Sequence, residues 1–284
     1  MMHVRSARPR LAAVVFASGL LAAGGLASAQ DAAKPAADLP PGKEVFDKAV
    51  EAMGGRKKLD DIKSITYKVS MAESMGPGAP ESIIVNGLLP DQVHLKGTFA
   101  EGETAVMVFN GKHAWSTEPG DEEPTLDDPE QIQTMMPLFC PQVMLLGAPK
   151  VYKTMETTEK TEFNGKGCYK VKMSDEKGER TASVFINADN AAVEGIEIVF
   201  DAEMGLFGRV TVLERKEVDG VHLISKMKMH MPFGDETMEL SFSDFTFNKV
   251  EKKLFDVPES LKEEIKAVDD LKKGGGEGTE GGIK

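Results

Sequence analysis

The segment KMKMHM at residues 226–231 sets Met227, Met229 and Met231 at alternate positions, with Lys226, Lys228 and His230 between them. Thioether sulfur and imidazole nitrogen are ligands for a soft cation such as Cu(I), so metal binding is the first chemistry to weigh. On an extended strand Met227 and Met229 share one face roughly 6.6 to 7 Å apart, a span that two flexible thioethers can close on one ion. His230 points to the other face. A third ligand would have to come from elsewhere, and His94, His113 and His222 are scattered singly over different segments. Two other readings fit the same alternation: a half-buried strand of a closed core, and the wall of a hollow for a greasy ligand.

Catalytic signatures are missing from the sequence. It has no G-x-S-x-G elbow, no H-E-x-x-H pair and no phosphate loop ending in Gly-Lys-Ser/Thr. NADNAAVEG, residues 187–195, lacks the alternating acidic register of a calcium loop and reads as a hairpin connection. Asp121, Glu122 and Glu123 fall in a Pro/Gly-rich stretch, where solvated carboxylates keep ordinary acidity and do no acid catalysis. The expectation is a protein that is not an enzyme and needs no cofactor or metal.

The elements that must position the methionines are mostly strands. Twelve short runs rich in β-branched and aromatic residues follow one another from SITYKVSM at Ser64 to TMELSFSDFTF ending at Phe247. Turn signals separate them, among them Asn110-Gly111, Asn164-Gly165 and Asp219-Gly220, and such close spacing excludes the helical crossovers of a parallel sheet. Before the strands, Val45, Phe46, Ala49, Val50 and Met53 recur at helical spacing up to Gly54-Gly55. In the middle, Asp128 followed by Pro129 opens a helix that Pro137 and Pro141 must interrupt. That stretch is apolar on nearly every side, so it must be covered on every side. Ser260 with Glu263 forms a capping box for a last helix with Leu261, Ile265, Val268 and Leu271 on one face.

Composition bounds the setting. Arg5, Arg8 and Arg10 precede an apolar run from Leu11 to about Ala23 that ends in Ala27-Ser28-Ala29, the pattern of a cleaved secretory signal peptide over residues 1–29. Cleavage takes the formal charge from −12 to −15 with the loss of those three arginines, and so acidic a surface repels nucleic acid and anionic headgroups. No Cys stands near the cleavage site to take a lipid, and no later run has the roughly 18 to 20 apolar residues of a spanning helix. Residues 30–42 read as a flexible linker, 43–272 as one domain and 273–284 as a disordered Gly-rich tail. Cys140 and Cys168 are permitted a disulfide by an oxidising compartment, yet both sit where a free Cys serves as a small buried hydrophobe.

Taken in order, EAMGGRKKLDDIKSIT, GLLPDQVHL, FNGKHAW, NGKGCYKVKM, VDGVHLISKM and FNKVEKKLFDVPES resemble the LolA-like superfamily, the outer-membrane lipoprotein-sorting proteins of bacteria. The resemblance implies a mainly β (α+β) fold, a curved antiparallel sheet forming an incomplete barrel of about eleven strands, with helices packed in and over its open side. It also implies a periplasmic protein whose hollow holds the acyl chains of lipids or lipoproteins. On that reading the hollow is lined by Met227, Met229 and Met231, by Ile196, Ile198 and Phe200, and by Phe245 and Phe247. Met135, Met136, Phe139 and Met144 belong to a lid over it. The expected partner is a lipid or lipoprotein, with an envelope protein beside it, and the chain is expected to act as a monomer. Two alternatives stay open: a structural or sensory envelope domain of the same fold with a closed core, and a copper-binding protein.

Overall fold

Asn164 and Gly165 have φ of 51° and 74°, and Asp219 and Gly220 of 50° and 75°. These paired positive values are what a tight hairpin turn matching strand twist requires, and a sheet built on such turns is antiparallel by construction. The computed structural model describes residues 39–71, 78–201, 204, 206–231 and 237–274 of the chain. The predicted signal peptide, most of the predicted linker and the predicted tail from 275 onward lie outside the described residues.

Among the described residues the sheet has thirteen strands, not the eleven or so that the resemblance implies. They are β1 (Ser64–Met71), β2 (Ser82–Leu88), β3 (Gln92–Thr98), β4 (Thr104–Phe109), β5 (Ala114–Ser116), β6 (Thr125–Asp127), β7 (Thr154–Phe163), β8 (Lys166–Ser174), β9 (Thr181–Asn187), β10 (Val193–Asp201), β11 (Leu206–Val218), β12 (Val221–His230) and β13 (Thr237–Phe247). The element with no counterpart among the twelve predicted runs is β6. It is three residues long, too short for an alternating pattern to register, and it exists by pairing with β5. A second boundary moves as well: KVYKTMETT, one of the twelve runs, reads as a strand from Lys150, but Lys150 and Val151 end a helix, so β7 begins only at Thr154.

Strand order is β6-β5-β4-β3-β2-β1-β13-β12-β11-β10-β9-β8-β7, every pair antiparallel, so β6 and β7 are the two free edges. The chain between those edges is two helices, α3 (Pro129–Phe139) and α4 (Pro141–Val151), following α1 (Gly42–Ala52) and α2 (Arg56–Asp61) and preceding α5 (Lys262–Gly274). As predicted, Asp128 caps α3, its Oδ1 accepting from the Glu130 backbone N–H at 2.9 Å. Cys140, at φ −125°, breaks the segment into two helices just before Pro141. α1 lies on β7, β8 and β9, α3 on β10, β11 and β4, and α4 on β12, so the concave face is covered from edge to edge.

The convex face carries its own apolar patch, Val108 and Trp115 under Phe255, Leu261 and Ile265. Only half of the face predicted for α5 is used there. Leu261 and Ile265 are buried, whereas Val268 and Leu271 are exposed. Ser260 lies in a 3-10 turn, Glu259–Leu261, that precedes α5.

Candidate functional site: the covered concave face

Strand parity puts Met227 and Met229 on the concave face of β12 and Lys228 on the convex face, where it is exposed. Lys226, also convex, pairs with Glu239 at 2.8 Å. Inward residues continue across neighbouring strands: Met229 stands opposite Val210 on β11 and Met238 on β13, and Val210 opposite Ile196 on β10. Met227, Met229 and Ile196 are fully buried, and Ile198 nearly so. Phe245 and Phe247 also face inward, although Leu240 and Phe242 have the other parity. A bulge at Asp244, with φ 55°, flips the side of the strand that meets the hollow.

All twelve predicted lining residues fall in one apolar cluster. Met135, Met136, Met144, Ile196, Ile198, Met227 and Met229 are buried in it; Phe139, Phe200, Met231, Phe245 and Phe247 pack half-buried against it. The hollow they surround is filled by α3 and α4. Two inward glycines seat those helices: a Cβ at Gly208 would lie 2.5 Å from Leu138 Cδ1, and one at Gly87 would lie 2.4 Å from Val143 Cγ2. The twelve are therefore a sheet-to-lid interface in this conformation.

His230 is on the opposite side of β12 from the buried thioethers, its ring 6.0 Å from that of Phe207. A cation between Met227 and Met229 would have two thioethers and a hydrocarbon wall. Among the described residues no group of three or more His, Cys, Asp or Glu stands together as a metal site.

Polar groups inside this apolar volume are few, and sequence reasoning passed over them. Tyr67 on β1 is fully buried, its ring 5.8 Å from those of both Phe242 and Phe245. Its hydroxyl is coupled to the Cys140 thiol at the α3–α4 junction and has no conventional hydrogen-bond partner among the described residues. Burial pushes the tyrosine well above its ordinary value and the thiol up to about 12, so Cys140 is a neutral filler rather than a nucleophile. Cys168 is also a free thiol, on the convex face beside Phe163 and Phe185, so the sheet separates the two cysteines. Gln142 on α4 is buried and donates from Nε2 to the Ile224 carbonyl at 2.8 Å.

A three-way polar contact closes one side of the lid. Arg180, in the β8–β9 turn, pairs with Asp91, in the β2–β3 turn, at 2.9 Å and donates to Gln133 Oε1 of α3 at 3.1 Å. These residues are far apart in sequence, so nothing local announces the contact. On the convex face two buried glutamates are held as anions. Burial alone would raise Glu197, but Lys170 at 2.8 Å and Arg209 at 2.5 Å overcome it and hold the carboxyl below its usual range. Burial also works against Glu194, and Lys166 at 2.9 Å and Arg215 at 3.0 Å likewise overcome it.

Three cavities among the described residues lie beside the lid. One of about 230 Å3 lies among the end of α1, α4 and β10–β12; another, about 730 Å3, is a groove between α1 and the end of α4 near Tyr152 and Met155. None of the twelve predicted residues lines either of these, whereas Met136 and Met144 line the third, a void of about 10 Å3 beside Asp91, Gln133 and Arg180.

An open antiparallel half-barrel with helices across its concave face is the architecture of LolA-like proteins, and the chain has that fold. A LolA superfamily protein from Nitrosomonas europaea matches it with a TM-score of 0.54 at 13% identity, over 77% of this chain and 99% of that one. A DUF1329 family protein from Desulfovibrio piger matches at 0.49 and 12%, over 77% and 98% of the two chains. A domain named for outer membrane lipoprotein sorting, from Vibrio parahaemolyticus, matches at 0.47 and 14%, over 79% and 98%. The first of these carries the assignment, and at such low identity it is an assignment of fold. No protein-family model and no curated protein matches the sequence. Among the described residues no helix is long and apolar enough to cross a membrane.

Proposed function

We propose that the protein is a non-enzymatic carrier of the bacterial periplasm that takes the acyl chains of a lipid or lipoprotein between the α3–α4 lid and the Met-rich concave face. One observation supports this reading above the others. The segment that fills the hollow joins only the two free edges of the sheet, so it can shift without breaking a strand pair. The break at Cys140, just before Pro141, leaves it as two helical pieces with a natural joint, whereas Pro137 and Pro149 sit inside continuous helices, so Pro137 does not interrupt α3 as its residue type predicts.

Magnitudes say what can drive the shift. The lid buries eight large apolar side chains: Ile132, Met135, Met136, Leu138, Val143, Met144, Leu145 and Leu146. At about 1.5 to 3 kcal/mol each, exposing them all to water would cost about 12 to 24 kcal/mol, as much as or more than the about 5 to 15 kcal/mol stability of a typical domain. Full opening into water is strongly disfavoured on that scale. The lid yields where hydrocarbon replaces hydrocarbon, as a chain is handed over by a membrane or a loaded envelope partner.

A second reading draws on the same filled hollow: a structural or sensory domain with a permanently closed core that works through its outer surfaces. Native mass spectrometry of protein recovered from its own envelope separates the two. Co-purified lipid is expected, bound copper would favour the metal alternative, and a bare chain the closed core. Binding of a fluorescent fatty acid should fall on Met229→Gln or Ile198→Gln and be unchanged by Lys228→Gln on the outer face. Equal effects from inner and outer replacements, or no binding by the wild-type chain, would refute the carrier reading.

A further inference from the structure

The groove of about 730 Å3 between α1 and the end of α4 has the volume of a ligand site, within the roughly 300 to 1,000 Å3 usual for one. Phe46, Pro149, Tyr152 and Met155 give it an apolar floor. Phe46, Tyr152 and Met155 belong to the same apolar cluster as the twelve lining candidates, so the floor is continuous with the sheet-to-lid interface. Around the floor stand four cations, Lys43, Lys48, Arg56 and Lys153, and two anions, Asp47 and Glu51. Asp47 is shared by Lys43 and Arg56, at 2.6 Å from each. Glu51 accepts from the Arg56 backbone N–H at 3.2 Å. Lys153 donates to the Lys150 carbonyl at 2.8 Å, and among the described residues neither Lys153 nor Lys48 pairs with a carboxylate. Both are exposed, so a ligand in the groove can reach both ammonium groups. Four cations against two anions give the groove a local charge of +2 on a chain of −12.

We propose that this groove is the carrier's head-group subsite: Lys48 and Lys153 hold the anionic head of an amphiphile, a carboxylate or a phosphate, while its chain follows the apolar floor beneath α4. The acidic surface at large repels such a head, and the groove reverses that sign at one end of the lid. The reversal therefore orients the ligand as well as attracting it, with the head at the end of α4 and the tail towards the Met-rich face. A cationic head is repelled there, and a neutral one gains no charge attraction. Because both lysines stay in contact with water, the head keeps part of its hydration and escapes the large penalty of a buried ion. The inference rests on the acyl-carrier reading and adds to it the charge of the head group.

Calorimetric titration of the full chain with decanoate, decyl phosphate and 1-decanol tests it, at about pH 8 where both acids are ionised. At about 0.01 M ionic strength, where charges act over about 30 Å, the better anion is expected to bind about tenfold more tightly than 1-decanol, the scale of two exposed ion pairs. At about 1 M salt, with screening over about 3 Å, that advantage should vanish. Replacing both Lys48→Glu and Lys153→Glu should abolish it at low salt. Replacing both Lys172→Glu and Lys228→Glu, exposed on the convex face, makes the same change in net charge and should retain most of it. Decyl phosphate ahead of decanoate would mark the head as a phosphate, and decanoate ahead would mark it as a carboxylate. In wild-type protein the Met155 methyl resonance should move on addition of decanoate, a readout that needs no variant to fold. An alcohol that binds as tightly as both anions at low salt, an advantage that survives high salt or the groove replacements, a convex-face variant that loses it as fully, or an unmoved resonance would overturn the inference alone. Failure of all three ligands to bind would overturn it together with the carrier reading.

Discussion

Stapling the lid to the sheet should abolish ligand uptake, and the structure supplies a site for the staple. A Cβ built on Gly87 lies 3.6 Å from Val143 Cβ, within the roughly 3.5 to 4.5 Å of a disulfide. The double replacement Gly87→Cys and Val143→Cys therefore joins β2 to α4, with Ile65 Cγ2, 3.2 Å from the new Cβ, giving way slightly. The bond closes a loop of about 56 residues, which in the chain-entropy description stabilises by about 4 kcal/mol. Loss of the valine methyl groups offsets about 1 kcal/mol of that. A net gain of about 3 kcal/mol raises Tm by about 6 to 12 °C for a domain of this size. Neither native thiol interferes, because both are buried, and Cys140 is pushed up to about 12 and stays protonated at the pH of oxidation. The assay compares fluorescent fatty acid binding by the oxidised and reduced forms of one preparation, with the 87–143 link verified by peptide mapping. Reduced protein should bind and oxidised protein should not. Equal binding by the two forms would mean that ligand never enters beneath α4, and the lid argument would fail whatever the change in Tm.

Two further outcomes follow from the polar contacts around the hollow. Arg180→Ala removes charged hydrogen bonds to Asp91 and Gln133, worth about 1.5 to 3 kcal/mol. Thermal denaturation should show Tm lower by about 3 to 12 °C, with faster release of bound probe in stopped flow; an unchanged Tm would mean the contact latches nothing. Glu197, held below its usual range in the folded state, binds its proton later than in the unfolded chain as pH falls. Its contribution is present above the unfolded value of about 4.3 and is lost as pH drops through the lower folded value. Glu197→Gln should therefore flatten the acid limb of a stability-versus-pH curve below about pH 4.5, and an unaltered limb would refute the ion-pair account.

Alternation was legible where strands are long and half-buried. TASVFIN, TAVMVF and TMELSFSDFTF match β9, β4 and β13 end for end, because a period of two repeated over six or more residues has no competing explanation. β6 was not legible, since three residues next to an acidic loop carry no period and their pairing with β5 is purely tertiary. The split of the central apolar stretch at Cys140 was foreseeable from Pro141. Lys150 and Val151 were drawn into a strand because β-branched content outweighs helical spacing in so short a window. That the apolar candidates share one buried cluster was legible, and the polar groups among them were not. Gln142 is the one polar residue in PQVMLL, a visible signal, whereas Arg180 meets Asp91 across eighty-nine residues with no local trace.

By itself the sequence determined which side chains share a face wherever a strand runs without a bulge, and not across Asp244 of β13. The alternation of Met227 and Met229 with Lys226 and Lys228, the Asn-Gly and Asp-Gly turns and the apolar run around Cys140 are local, and local geometry has only two periods to offer. Only the tertiary structure decided what each face meets. Whether the Met face lines a void or packs against α3 and α4 depends on how far the sheet curls and on Gly87 and Gly208 admitting Val143 and Leu138. The energy of burying a methionine is the same against a helix as against an acyl chain. Periodicity reports that a side chain is buried; only the packed fold determines what buries it.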